Sequence, residues 1–194
     1  VALLGGNGAG KTTTLRAVAF RSGWRSSQVV THTYLFLDDI VTQNQSNTEA
    51  AGFPALWDTQ PADYGLDARV VGTNDSFGGK YRNSLRSDLL SLPTMSIVMD
   101  VNDLFGSAGI YSYPNSRGDA WERAGSLELI YPTGQTGFQA NAGFRIQGGA
   151  FRRFDLTLKK SFRVIFREEY GQGRLHYPLF GPDAAAEFNN FVLR

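Results

Sequence analysis

The chain has 194 residues, of which 42% are hydrophobic and 13% aromatic, enough for one cored domain with or without part of a neighbour. Lys and Arg number 19 against 18 Asp and Glu, and this net charge of +1 offers no basic field for recruiting nucleic acid or an anionic membrane. The chain has no cysteine, which excludes disulfides, thiolate chemistry and cysteine zinc sites.

The two ends of the chain suggest a fragment. The first residue is Val1 and not Met, and residues 191–194 resemble an unfinished strand. We therefore expect a piece that is truncated at both ends. No apolar stretch approaches the roughly 20 residues of a membrane span.

Residues 5–20, GGNGAGKTTTLRAVAF, contain the spacing of a phosphate-binding loop. Gly5 is followed by four residues and then by Gly10, Lys11 and Thr12, behind an apolar run that would form the preceding strand. In this interpretation backbone N–H groups hold a β-phosphate, Lys11 reaches the β- and γ-phosphates, and Thr12 binds Mg²⁺. The motif predicts a P-loop ATPase as one alternative.

The segment that follows, residues 12–20, fits two secondary structures. A P-loop requires a helix here, but the segment also alternates as a strand does, with Thr14 and Arg16 on one face. A turn-type cluster at 21–27 and a β-rich run at 28–37 come next, which favours a hairpin. A helix would support the ATPase, and a strand would support the hairpin.

Residues 37–92 are predicted to form a connector with one short helix. The stretch is polar and mostly irregular, and Phe53, Trp57 and Tyr64 are expected to anchor it to a core. The run at 83–91 has leucines at helical spacing and ends before a proline, which predicts the helix.

Strand patterns become regular from residue 93 onward. The run at 160–167 alternates, with Phe162, Val164 and Phe166 on one face, whereas the run at 94–99 is apolar on both faces. The predicted strands lie at 94–99, 126–131, 137–147, 160–167 and 187–194. The predicted fold class is α+β, mostly β.

Two families resemble the N-terminal region. Residues 1–18 resemble the Walker A segment of ABC-transporter ATPase subunits, and residues 12–36 resemble the closing strands of the chitobiase/hexosaminidase C-terminal-type β-sandwich of bacterial exported proteins. An ABC ATPase also needs a signature loop, which the sequence lacks, and the strand-like run ending at Asp38 lies only 27 residues after Lys11. We therefore expect residues 1–11 to be a foreign join.

Short motifs occur along residues 34–194. The most specific is KKSFR at 159–163, followed by EYG at 169–171 and YPLF at 177–180. The others are YLFLDD at 34–39, ADYGLD at 62–67, LPTMS at 92–96, DLFG at 103–106, GIY at 109–111, WER at 121–123 and GFRIQGG at 143–149. On these motifs, residues 34–194 resemble the segment before and within the first lobe of CotH-type spore-coat kinase proteins, which occur in large exported bacterial proteins.

The resemblances imply three parts: the tail of a β-sandwich at 1–36, the connector at 37–92, and an incomplete β-rich lobe of an atypical-kinase-like domain at 93–194. For the intact protein they imply phosphorylation of protein Ser/Thr with ATP and Mg²⁺, outside the cell or at its surface, with protein or cell-envelope partners. Catalytic and metal-binding residues are expected beyond Arg194, so the fragment itself is expected to be inactive. The alternative is a surface scaffold or adhesion protein without catalysis.

The resemblance assigns nucleotide binding to Lys159, Gly148, Gly149 and Arg145. A glycine break between two strands followed by a lysine has the layout of a nucleotide-covering hairpin, and phosphoryl transfer needs a cation on the phosphates. Adjacent strand residues face opposite ways, so only one of Lys159 and Lys160 can point into a cleft. The alternative is a solvent-facing pair of lysines beside a tight turn.

Arg145 also belongs to a cationic cluster in the sequence. Such arginines bind phosphate or an acidic substrate, or they pair with carboxylates on an exposed sheet face, and we expect the pairing. The other cationic members are Arg152, Arg153, Arg163 and Arg167, and the expected acidic partners are residues such as Asp155, Glu168 and Glu169.

No metal site is predicted from the sequence. The acidic pairs at 38–39 and 100–103 lack the ligand spacing of an EF-hand loop. His32 and His176 are isolated in the sequence and are expected to be structural.

Overall fold

The computed structural model describes residues 12–194, so the P-loop positions Gly5, Gly10 and Lys11 lie outside the described residues. The strands of this part are β1 Thr13–Ala17, β2 Val30–Tyr34, β3 Leu56–Trp57, β4 Gln60–Pro61, β5 Thr94–Val98, β6 Arg123–Ile130, β7 Phe138–Gln147, β8 Ser161–Ile165, β9 Leu175–His176, β10 Glu187–Phe188 and β11 Asn190–Leu193. The helices are α1 Leu37–Ile40, α2 Gln45–Ala50, α3 Ala68–Val71, α4 Lys80–Leu89 and α5 Val101–Phe105. The predicted class, α+β and mostly β, is confirmed.

A five-stranded antiparallel sheet organises the structure, in the order β11-β8-β7-β6-β5. The strands predicted at 94–99, 126–131, 137–147 and 160–167 contribute to it, whereas the C-terminal run divides around Asn189 into β10, which pairs with β9 in a separate sheet, and β11, which joins this sheet. The edge strand β5 is half-buried along its whole length, in agreement with its apolar residues on both faces. Register is set by pairs such as Phe144 with Val164 and Leu127 with Ala140.

One face of this sheet forms the hydrophobic core. Phe144, Val164 and Leu127 are completely buried there, because paired residues of antiparallel strands point to the same side. The predicted alternation of β8 is confirmed, since Val164 and Phe166 are buried and Arg163 is exposed.

The connector at 37–92 packs its aromatic residues onto that core, as predicted. Trp57 is buried and lies edge-to-face with Tyr64 at 5.1 Å between ring centroids, and Phe53 lies 5.7 Å from Tyr64. Tyr64 also donates a hydrogen bond from its hydroxyl to the Pro54 carbonyl at 2.8 Å.

The connector contains four short helices where one was predicted. Local capping explains two of them: Asn44 and Asn47 form a reciprocal capping box at the start of α2, and the Asp67 carboxylate accepts from the Arg69 backbone at the start of α3. The predicted helix at 83–91 begins earlier and ends earlier, as α4.

Residues 13–17 form a strand, β1, paired with β2 in register from Thr13 with Tyr34 to Ala17 with Val30. The hairpin interpretation is confirmed for this segment, and the helix that a P-loop ATPase requires is wrong for it. Thr12, the P-loop residue that the structure describes, directly precedes β1, and its backbone N–H donates to an Asp39 carboxylate oxygen at 3.3 Å.

The hairpin packs against the polar face of the sheet through side-chain hydrogen bonds. Thr31 donates its hydroxyl to Ser126 at 2.7 Å, and Ser126 donates onward to Asn141 at 2.9 Å. Thr33 donates to a Glu128 carboxylate oxygen at 2.6 Å. Thr31, Ser126 and Glu128 are all buried, so this polar layer has replaced water with protein partners.

We predict that Thr31→Val lowers the free energy of unfolding by about 1–3 kcal/mol, because the valine fills the same space without donating to the buried Ser126 hydroxyl. Urea denaturation measures the change. The control is Thr133→Val at an exposed turn position, which is expected to change stability by less than about 0.5 kcal/mol. Equal effects of the two substitutions would contradict a buried hydrogen-bonded layer.

Candidate functional site

A cleft of about 580 Å³ opens where β7 ends and β8 begins. Three of the four residues assigned to nucleotide binding line it: Gly148, Gly149 and Lys159. The other lining residues are Gln147, Phe151, Leu156, Thr157, Ser161, Val192 and Arg194. The cleft therefore combines backbone at a glycine break, one lysine and a partly apolar wall.

Arg152 holds the glycine break in place. Its buried guanidinium donates to four backbone carbonyls: Gly148 at 2.8 Å, Ser116 at 2.8 Å, Pro114 at 2.9 Å and Ile146. Burial, and then the neighbouring Arg117, lower the pKa of Arg152. Gly148 has φ +133°, a backbone conformation that favours glycine, so the turn needs both residues.

The two adjacent lysines have opposite environments. Lys159 is exposed over 64% of its side chain and lies 3.2 Å from the Asp63 carboxylate, at the cleft. Lys160 is buried, with its ammonium 4.0 Å from the ring centroid of Phe154 and donating to the Thr157 carbonyl. Burial lowers the pKa of Lys160. Lys159 is thus the one of the pair that lines the cleft.

Tyr111 fixes the backbone on both sides of Lys159. Its hydroxyl donates to the Leu158 carbonyl at 2.9 Å and accepts from the Lys160 backbone N–H at 3.2 Å. Tyr111 is part of the buried core, and its burial raises the pKa of the phenol to about 12. The ring therefore connects the position of Lys159 to the packing of the core.

Arg145, the fourth assigned residue, lies in a neighbouring depression of about 250 Å³ that shares Gln147 and Gly148 with the cleft. Its Nε donates to Glu122 Oε2 at 2.6 Å, and a terminal nitrogen pairs with Asp119. Burial alone would lower the pKa of Arg145, but its hydrogen bonds and charge interactions with Glu122 and Asp119 together outweigh burial, so the pKa is raised.

Pairing with carboxylates was predicted for these arginines, and part of that prediction is confirmed. Arg153 pairs with Asp155 as expected. Arg145 and Arg167 pair instead with Glu122, whose carboxylate lies 3.1 Å from the Arg167 Nε. The sequence did not predict this role of Glu122, because its position in the WER motif does not show which arginines of the folded chain lie beside it.

A glycine on β7 makes the Glu122 site possible. A Cβ at Gly143 would lie 2.4 Å from Glu122 Oε1 and 2.6 Å from a Tyr170 ring carbon. Only glycine therefore allows these two side chains to approach the strand. Burial, and then a hydrogen bond with Glu122, raise the pKa of Tyr170.

Within residues 12–194 no group of three or more His, Asp or Glu is arranged to hold a metal ion. Asp38 pairs with Arg86 at 2.8 Å, and Asp100 caps α5. His32 lies 3.8 Å from Glu128, and His176 lies 3.2 Å from Glu187. No helix of this described part is long and apolar enough to cross a membrane.

Comparison of the chain with models of protein families, with curated proteins and with solved structures finds no match. The function of the chain is therefore proposed from the sequence resemblance together with the geometry of the residues.

We predict that Arg152→Met lowers the free energy of unfolding by about 3 kcal/mol or more, because the carbonyls that the guanidinium serves lose their donor. Methionine keeps most of the aliphatic part of the arginine side chain, so the loss of stability reports mainly the lost hydrogen-bond donors. The matched control is its neighbour Arg153, which is exposed and pairs with Asp155. Arg153→Met is expected to change stability by less than about 0.5 kcal/mol in the same urea titration.

We predict a loss of stability at high pH that depends on Tyr111. Its folded-state pKa of about 12 exceeds the ordinary value of 10.0, so the folded protein keeps the proton longer. The stabilisation is complete below pH 10 and is lost as the pH rises towards 12. Urea midpoints of wild type and Tyr111→Phe, compared across this range, are expected to converge. A difference between the two proteins that stays constant across this range would contradict this role.

Proposed function

We propose that the chain contains the nucleotide-binding, β-rich lobe of a CotH-type kinase-like protein, and that ATP binds in the cleft between Gly148, Gly149 and Lys159. One observation carries the proposal: Gly148, Gly149 and Lys159, which the resemblance assigns together to nucleotide binding, line the same cleft. The volume of about 580 Å³ lies within the range of small-molecule sites.

The chemistry of the cleft supports a phosphate-bearing ligand. The backbone at the glycine break allows close approach of an anion, since no side chain at 148 or 149 shields it. Lys159 would contact the phosphates. Its ion pair with Asp63 resembles the way in which protein kinases hold their phosphate-binding lysine with a carboxylate.

The apolar side of the cleft supports a base-bearing ligand. Phe151, Leu156 and Val192 line the cleft together with its polar residues. Planar aromatic groups such as adenine bind against surfaces of this kind, while a few polar groups set their orientation. The arrangement therefore suits a nucleotide better than inorganic phosphate.

Arg145 has a supporting role in this proposal. Its guanidinium is engaged by Glu122 and Asp119 in the neighbouring depression, so it positions the end of β7 instead of contacting phosphate. The proposal assigns Mg²⁺ to none of the described residues. Bound Mg²⁺ would neutralise charge on the phosphates, while Lys159 and the glycine break hold the nucleotide.

For the intact protein, the proposal extends to Ser/Thr phosphorylation of protein substrates by an exported or surface-attached bacterial protein. Two alternatives remain: a surface scaffold or adhesion protein that binds no nucleotide, and a P-loop ATPase. The strand β1 argues against the ATPase, because a P-loop needs a helix after Lys11.

We predict that Lys159→Ala weakens ATP binding at least tenfold, or by about 1.4 kcal/mol, because the cation at the phosphates is lost. Isothermal titration calorimetry with and without Mg²⁺ measures the affinity. The matched control is Lys80→Ala, an exposed lysine on α4, which is expected to bind as wild type does.

Two results would overturn the proposal. Loss of binding in Lys11→Ala alone would support the P-loop. Absence of ATP binding to the wild-type chain, folded by circular dichroism, would favour the scaffold.

A further inference from the structure

The tip of the β1–β2 hairpin, residues 19–27, exposes two large aromatic side chains. Phe20 is exposed over 79% and Trp24 over 71%. Together with Arg21 and Arg25 they surround a shallow depression of about 340 Å³. Aromatic side chains exposed to this degree and side by side mark an interaction surface.

The hairpin tip is held in one conformation by its own hydrogen bonds. The Ser27 N–H donates to the Ala19 carbonyl at 2.9 Å, and the Ala19 N–H donates to the Ser27 hydroxyl at 2.9 Å. Between Ala19 and Ser27, the Trp24 N–H donates to the Arg21 carbonyl at 3.0 Å. A tip closed in this way presents its aromatic side chains on a backbone that has little entropy left to lose on binding.

Charge is segregated at this end of the chain, although the total is nearly balanced. Residues 12–37 contain Arg16, Arg21 and Arg25 and no Asp or Glu, whereas residues 38–194 contain 15 Lys and Arg against 18 Asp and Glu. The Arg21 guanidinium also lies 5.7 Å from the ring of Trp24. The cations and the exposed aromatic residues thus coincide, which favours an anionic partner.

We propose that the hairpin tip is a peripheral anchor for an anionic lipid surface. Trp and Phe side chains partition to the level of lipid headgroups, and nearby arginines bind the phosphates of anionic lipids. The guanidinium groups of Arg21 and Arg25 are positively charged, which suits the anionic phosphate of a lipid better than the neutral hydroxyls of a glycan. With two arginines at the tip, the binding is weak, reversible and sensitive to salt. The inference does not depend on the proposed nucleotide site, since the two share no residue.

The test is co-sedimentation of the full chain with vesicles made of equal parts phosphatidylglycerol and phosphatidylcholine, and with vesicles of phosphatidylcholine alone. We expect binding to the anionic vesicles, little binding to the neutral ones, and weaker binding at high salt. Trp24→Ser and the double variant Arg21→Ser, Arg25→Ser are each expected to weaken binding at least tenfold. The control Phe180→Ser removes a phenylalanine that is 69% exposed elsewhere and is expected to bind as wild type.

Thermal unfolding midpoints of these variants are expected to match wild type, so lost binding does not report lost folding. Any of these results would overturn the proposal: no binding to anionic vesicles, equal weakening by Phe180→Ser, or tighter tip-dependent binding to a soluble polyanion such as an oligonucleotide. Concentration-dependent dimerisation that Trp24→Ser abolishes would also overturn it, because a second copy would then cover the tip.

Discussion

The alternation of side chains along β7 is the constraint on which the rest of the structure depends. β7 lies in the middle of the five-stranded sheet and is hydrogen-bonded on both sides, so each residue must face one side or the other. The side chains of Phe144 and Ile146 pack in the hydrophobic core, whereas those of Asn141 and Arg145 lie on the polar face. A shift of register by one residue would exchange these sets and bury the Arg145 charge in the core.

The polar face is held together by specific partners and not by apolar area. At one end Thr31, Ser126 and Asn141 form a chain of hydrogen bonds under the hairpin, and at the other Glu122 binds Arg145 beside the strand. Buried groups of this kind are satisfied in one arrangement only, because each unpaired partner carries a desolvation penalty. The hairpin is therefore docked in a defined position on the sheet.

The candidate cleft and the hairpin tip lie at different places and differ in chemistry. The cleft forms where β7 ends at Gly148, and the buried Arg152 and Tyr111 connect its backbone to the core. The tip is held by hydrogen bonds within residues 19–27. A rigid cleft suits a small ligand that must be oriented, whereas a projecting aromatic tip suits a surface.

The sequence by itself determined the mostly-β class, the alternation of β8 and the anchoring of Trp57, because these follow from periodicity and from aromatic burial. It left the segment at 12–20 open, since β1 is a strand only through its pairing with β2. Tertiary structure alone decided that Lys159 lines the cleft and Lys160 does not, and that Arg145 pairs with Glu122. The physical reason is that periodicity reports which side chains share a face, whereas a partner's identity depends on which distant residue lies opposite.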